Sequence, residues 1–279
     1  MSLFDRRVVV TIGPEGGEGL RLDERFHIEF SVVKTVGQEQ NRIDCTIYGL
    51  SEQTRARIND SGSQVIQIEA GYADGVEVLA IGDITRVVTE YHLPEIRTVI
   101  EAGDGARALR DRRVNLSFEA GASVQRVLDR IAQELALGTR ATGAQAEGAY
   151  REGVSFSGTA RDALNRVTQR AGLTWSIQNG ELQILDRVDA AQSRGVLLTP
   201  ETGLIGSPRA MEEQVEANER QRGDGFEVVS LLQPKIRPGE LVVIQSRDVD
   251  GEFRVDTVDH RGSVRGNHWY STAEVFADG

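Results

Sequence analysis

The sequence predicts a mainly β protein with an α+β insert: two β domains flank a small domain of two strand-helix units. Three observations predict it. Apolar and polar residues alternate through the first third, and alternate again from Val228 to Tyr270, the period of strands with one buried face. Between them, apolar residues recur at the 3.6-residue spacing of amphipathic helices. A chain of 279 residues exceeds what one core comfortably serves, and the changes of pattern place domains at 1–105, 106–190 and 191–279.

In the first third, Phe26, Ile28, Phe30 and Val32 alternate with His27, Glu29 and Ser31, and Ile43, Cys45 and Ile47 alternate with Asp44 and Thr46. Ser51 to Asp60 reads as a short helix. Val65 to Tyr72, Val76 to Tyr91 and Glu95 to Ala102 continue as strands, broken by Ala73-Asp74-Gly75 and Pro94. Strands at this density imply a barrel or sandwich, whose closure satisfies exposed edges. The glycine cluster from Gly13 to Gly19 reads as a turn, since its carboxylates Glu15 and Glu18 would repel a phosphate.

In the middle, a strand at Val114 to Phe118 precedes a cap at Ser123 and a helix whose Val124, Val127, Leu128, Ile131 and Leu135 share one face. The plan repeats: strand Val154 to Phe156, capping box Thr159 to Asp162, then a helix with Ala160, Ala163, Leu164, Val167 and Ala171. A hairpin follows, Thr174 to Ile177 and Glu181 to Leu185 about Asn179-Gly180. The stretch 138–153 is small and polar, as a loop requires.

In the last third, Leu241 with Val243 and Phe253 with Val255 suit half-buried strands, and Pro238-Gly239, Asp250-Gly251 and Arg265-Gly266-Asn267 supply the bends. Residues 206–225, rich in Glu, Arg and Gln, read as a mobile insertion.

Composition excludes more than it assigns. No apolar run approaches the roughly 20 residues that span a bilayer, and Met1 to Gly13 has too short an apolar stretch for a signal peptide. Cys45 is the one cysteine and sits in a strand alternation, so it reads as a small buried hydrophobe. Net charge is −11: residues 1–105 carry 18 acidic and 10 basic side chains, 106–190 carry 10 and 12, and 191–279 carry 15 and 10. Such outer thirds disfavour stable binding to nucleic acid.

No phosphate loop, H-E-x-x-H, C-x-x-C or G-x-S-x-G occurs. His260 and His268 with Asp259 would be a poor zinc set, one ligand short of a closed site, and His27 and His92 are scattered. Glu101 with Asp104, or Asp248 with Asp250, sit beside turn glycines, where carboxylates serve solubility and local hydrogen bonds. Trp175, Trp269 and Tyr270 read as core filling in a chain with 5% aromatics. The reading therefore assigns no catalytic, cofactor-binding or metal residue, no cofactor and no enzyme activity.

Two stretches carry a resemblance. Ser230, Leu231, Leu232, Pro234, Ile236, Pro238 and Gly239, then Gly251, Phe253, Arg254, Val255, Val258, His260, Gly262, Gly266, Asn267, Trp269 and Tyr270, resemble the C-terminal barrel of phage tail baseplate hub proteins. The stretch from Ile28 to Arg113, with its A-G-Y-x-D-G at Ala70 to Gly75 and G-D-I at Gly82 to Ile84, is similar to the first barrel of that family.

The resemblance implies two related tube-type barrels per chain, so that a homotrimer presents six and adapts a sixfold tail tube to a threefold spike. It implies the tail tube protein, the spike and other baseplate proteins as partners, DNA passing through without specific binding, and no stable membrane insertion. It places the protein in the virion, assembled in the host cytoplasm. Two rival readings remain: the middle repeats are similar to short domains of secretins, suggesting a peptidoglycan-binding or secretion module, and tail assemblies can carry a hydrolase. The lack of an export signal opposes the first, and the lack of a nucleophile-base pair opposes the second.

Overall fold

The computed structural model describes residues 5–14, 18–37, 39–60, 64–92, 94–105, 109, 112–140, 146–186, 195–211 and 225–277. The first third folds as β1 (Arg7–Pro14), β2 (Leu20–Asp23), β3 (Ile28–Thr35), β4 (Arg42–Tyr48), helix α1 (Glu52–Asp60), β5 (Gln64–Tyr72), β6 (Gly75–His92) and β7 (Glu95–Gly103). The alternation read from sequence is the alternation of burial: Ile28, Phe30 and Val32, then Ile43, Cys45 and Ile47, turn inward. Each fully buried side chain of this size contributes roughly 1.5–3 kcal/mol. Strands β1 to β7 share one cluster, which also takes in Leu50, just before α1, and Ile58 of α1.

The middle unit comprises β8 (Arg113–Phe118), β9 (Ala122–Ser123), α2 (Val124–Leu135), β10 (Gly138–Arg140), β11 (Ala149–Tyr150), β12 (Val154–Thr159), α3 (Ala160–Ala171), β13 (Leu173–Gln178) and β14 (Glu181–Asp186). Both predicted caps form: the Ser123 hydroxyl accepts the Arg126 N–H at 3.2 Å and that of Thr159 the Asp162 N–H at 3.1 Å. The apolar faces of the two helices enter one core with Trp175. Short strands β10 and β11 lie inside the stretch expected to be a loop, while 141–145 fall outside the described residues.

The last third adds β15 (Val196–Leu198), β16 (Arg209–Ala210), β17 (Gly225–Leu231), β18 (Leu241–Gln245), β19 (Asp250–Ser263) and β20 (Trp269–Ala277). Residues 212–224, most of the stretch read as a mobile insertion, lie outside the described residues, as do 15–17 of the glycine cluster.

Two closed barrels were not what the pairings produced. They form one thirteen-stranded sheet, ordered β16-β17-β20-β19-β3-β4-β7-β6-β5-β1-β2 with β18 and β15 branching from β19, and no ring of pairings closes among the described residues. One joint links the two β units. Thr257 to Ser263 of β19 pairs antiparallel with Thr35 to Glu29 of β3, so these two edges satisfy each other. Trp269 and Leu232, from the last third, complete the core of the first.

One strand plan occurs twice. The order β4-β7-β6-β5 recurs as β17-β20-β19-β18. In each, the long strand pairs its N-terminal half with the strand before it, bulges, and runs on: β6 between Ile84 and Arg86, β19 between Val255 and Thr257.

Candidate functional site

Among the described residues, a cluster of buried polar groups lies where the first, middle and last thirds of the chain meet. Strand β3 continues its inward face past Ile28, Phe30 and Val32 to Lys34, which is 3% exposed. A cation there needs a partner. The β13–β14 hairpin of the middle unit provides one: Lys34 Nζ donates to Asn179 Oδ1 at 2.8 Å. Asn179 and Gly180 have φ of 56° and 79°, the two left-handed positions of a type I′ turn, which Asn and Gly adopt at least cost.

Asp104, at the end of β7, grips that turn from the other side. Its Oδ1 accepts the Gly180 N–H at 2.9 Å and its Oδ2 accepts the Asn179 N–H. Asn41 Nδ2 donates to Ile177 O at 2.7 Å and to Gln178 Oε1 at 3.0 Å, and Gln178 Nε2 donates to Thr35 O at 3.0 Å. The turn is thus plugged into a socket made by β3, the β3–β4 loop and the end of β7.

The last unit closes the remaining side. Val36 N–H donates to Asp256 O at 2.9 Å, Gln183 Nε2 donates to Pro238 O at 3.4 Å, and Val36 packs against Leu185. Arg254 and Asp256 form an ion pair at 2.8 Å with both side chains only 6% exposed. His260 shares a 2.7 Å hydrogen bond with the Ser271 hydroxyl, which also accepts the Gln233 N–H at 2.9 Å.

Burial governs the electrostatics. Desolvation lowers Lys34 to about 8, against the pull of Asp104. It raises Asp104 to about 6, opposed by the Gly180 N–H and by Lys34. His260 is lowered to about 3 by desolvation and then by the Lys34 charge, so its ring is neutral across the physiological range. Every one of these groups is committed to another within the fold. Such an arrangement ties segments from the first, middle and last thirds of the chain to one another.

Several sequence readings meet the structure here. Asp104 is not a solvated turn carboxylate but a buried clamp, while its neighbour Glu101 pairs with Arg86 at 3.0 Å on the surface. His260 is fully buried and hydrogen-bonded to Ser271. Asp248 accepts a hydrogen bond from Ser207 at 2.7 Å. Among the described residues no three His, Cys, Asp or Glu side chains converge as a metal set. Trp175, Trp269 and Cys45 are core residues, and burial pushes the Cys45 thiol up to about 12. Lys34, Asn41 and Gln178 were not singled out from sequence. The signal for Lys34 was present: a lysine in phase with the inward positions of its strand.

One open pocket of about 470 Å³ lies elsewhere, between β8 and α2, lined by Leu116, Phe118, Arg126, Asp129, Arg130 and others. Arg126 is already tied to Glu119 at 3.4 Å and Arg130 to Glu134 at 2.7 Å. No described helix is long and apolar enough to cross a membrane.

Comparison with known structures gives the same architecture repeatedly. The 43 kDa tail protein of prophage MuSo2 from Shewanella oneidensis superposes with a TM-score of 0.69 at 11% identity, over 98% of this chain and 97% of that one. The tail protein of Neisseria meningitidis MC58 gives 0.66 at 13% identity, over 99% and 98%. An E. coli type VI secretion component, described as structurally similar to T4 tail proteins gp27 and gp5, gives 0.64 at 13%, over 96% and 77%. At these identities the likeness is one of fold. No curated protein sequence matches the chain. The family model described as baseplate hub gp41 matches residues 6–275, so the chain belongs to the baseplate hub gp41 family, the structural hub proteins of phage tail baseplates.

Proposed function

We propose that the chain forms the hub as a homotrimer whose two β units, residues 1–105 and 191–279, stand as quasi-equivalent tube-type modules around one ring. Three chains then present six modules, matching a sixfold tail tube on one side and a threefold spike on the other. The observation that carries this reading is the recurrence of the β4-β7-β6-β5 plan as β17-β20-β19-β18 within one chain, with the two copies joined edge to edge through β3 and β19. Head-to-tail contacts between such modules close a ring when their rotation returns to the start. The middle unit, 106–190, sits against the joint through the Asn179-Gly180 turn and sets the angle between the modules.

The acidic surplus of both outer thirds suits a bore through which DNA passes without adhering. In this reading the neighbours are the tube protein, the spike and other baseplate proteins, and assembly takes place in the host cytoplasm.

Light scattering on the purified chain, alone and with a spike protein, tests it. A mass of three chains is expected, and a chain that stays monomeric throughout rejects the ring. Retention of duplex DNA by the trimer at physiological salt rejects the bore.

A further inference from the structure

The two copies of the strand plan differ at one place. After its bulge, β19 runs from Thr257 to Ser263 with β3 on its outer side. After its own bulge, β6 runs from Arg86 to His92 with β7 on one side and no backbone partner on the other among the described residues. The direction of its free groups follows from a neighbour. Gly49 N–H donates to Ile96 O at 2.9 Å, so Ile96 turns its backbone away from β6. Its cross-strand partner Tyr91, and Thr89 two residues earlier, therefore turn theirs to the open edge. Tyr91 is 63% exposed there, the most exposed large hydrophobic residue among those described. An unpaired strand edge of this length is a template for another strand.

The same chain owns the missing partner. In the first unit, the row of facing residues after the bulge reads Arg86, Glu101, Asp44, Ser31; in the second it reads Thr257, Glu274, Glu227, Arg209. Strand β16 is thus the counterpart of β3, paired to β17 on one side and, among the described residues, open on the other. Met211 N–H is bonded to Gly225 O at 2.9 Å, so the preceding residue, Ala210, turns its own N–H and C=O outward.

We propose that the outer edge of β6, Arg86–His92, receives the edge segment 205–211 of a second copy of this chain, repeating between molecules the β3-to-β19 joint made within each. The proposal rests on the ring assembly above and names its contact. Carrying the β3–β19 register across the equivalent rows sets Arg209 opposite Glu90, Ala210 opposite Thr89 and Pro208 opposite Tyr91. The backbone agrees best at Ala210. Arg209, 3.6 Å from Glu227 of its own chain, meets Glu90, which is paired with Arg97 at 2.6 Å, so the contact extends an existing row of alternating charges. Ala210 and Thr89 each point free backbone groups at the other. Within the chain the large residue is Phe30 on β3, facing Gly262; between chains the large residue is Tyr91 on β6, facing Pro208, which has no N–H to donate to the Tyr91 carbonyl, so the ladder ends there. Ile205, 39% exposed, lies on the same segment.

Cysteine cross-linking of the full-length chain tests this contact, because Cys45 is fully buried and stays out of the reaction. Facing residues of a hydrogen-bonded antiparallel pair lie about 5.5 Å apart at Cα, within disulfide reach. Chains carrying Thr89→Cys, mixed with chains carrying Ala210→Cys and oxidised, are expected to give reducible dimers, and the double variant a covalent ladder ending at the ring. Each single variant alone should give none. On the unmodified chain, amide exchange at Val87, Thr89 and Tyr91 should slow by about tenfold or more on assembly, which keeps the test open should a variant misfold. Assembled trimers that neither cross-link nor slow exchange overturn this contact and leave the ring standing. A chain that never assembles overturns both.

Discussion

Asp104 accepts the backbone N–H of Gly180 across 2.9 Å, tying the end of the first β unit to a hairpin of the middle one. Its other oxygen takes the Asn179 N–H, and Lys34 closes the circuit through the Asn179 side chain. A buried charge pair of this kind is a poor source of stability, since desolvation consumes most of its attraction. What it contributes is geometry: only one placement of the turn satisfies all four groups.

Removing one side of that circuit should therefore be costly. Asp104→Ala leaves the Asn179 and Gly180 amides without their acceptor and Lys34 without its counter-charge, and it is expected to destabilise the protein by about 3 kcal/mol. Denaturant unfolding measures it. Asp104→Asn, which keeps the shape and one acceptor, should lose less; an Ala variant as stable as the parent would rule out the clamp.

The pH dependence follows from the direction of the shifts. Asp104 is raised by burial from 3.8 to about 6 in the fold, so its contribution to stability is fully present below about 4 and is lost as pH rises through 6. Lys34 is lowered from 10.5 to about 8, so its contribution is present above 10.5 and is lost as pH falls through 8. Stability measured between pH 4 and 6 should carry a falling component that Asp104→Asn abolishes. Equal slopes for the two proteins would show that Asp104 titrates normally.

The joint between the β units has its own test. A Cβ at Gly262 would fall inside the van der Waals envelope of the Phe30 ring, so Gly262→Ala is expected to cost about 1–3 kcal/mol by overpacking. Combining it with Phe30→Leu should cost less than the sum of the two single changes, because the smaller side chain makes room. Strict additivity in a double-mutant cycle would mean that the ring and the glycine do not press on each other.

Cys45 should be inert. It is fully buried, with a thiol pushed up to about 12, so a maleimide should leave it unmodified in the folded protein and label it completely after denaturation. Mass spectrometry reads the difference, and rapid labelling of the native chain would place Cys45 at the surface.

The sequence by itself determined the elements. Period-two alternation marked β3, β4, β5 and β6, Ser123 and Thr159 marked the helix starts, and Asn179-Gly180 marked its turn, because these signals are local: each is a residue's own preference or its spacing to near neighbours. Lys34 was equally local, a charge standing in phase with Ile28, Phe30 and Val32. Only the tertiary structure decided what became of the edges and the charges. That β19 pairs with β3 across more than two hundred residues, that Asp104 faces inward, and that no ring of pairings closes among the described residues all depend on which distant surface supplies the missing hydrogen bonds. A strand's pattern records that one of its faces is buried. It carries no record of which strand will satisfy its edge, because backbone N–H and C=O groups are the same at every position.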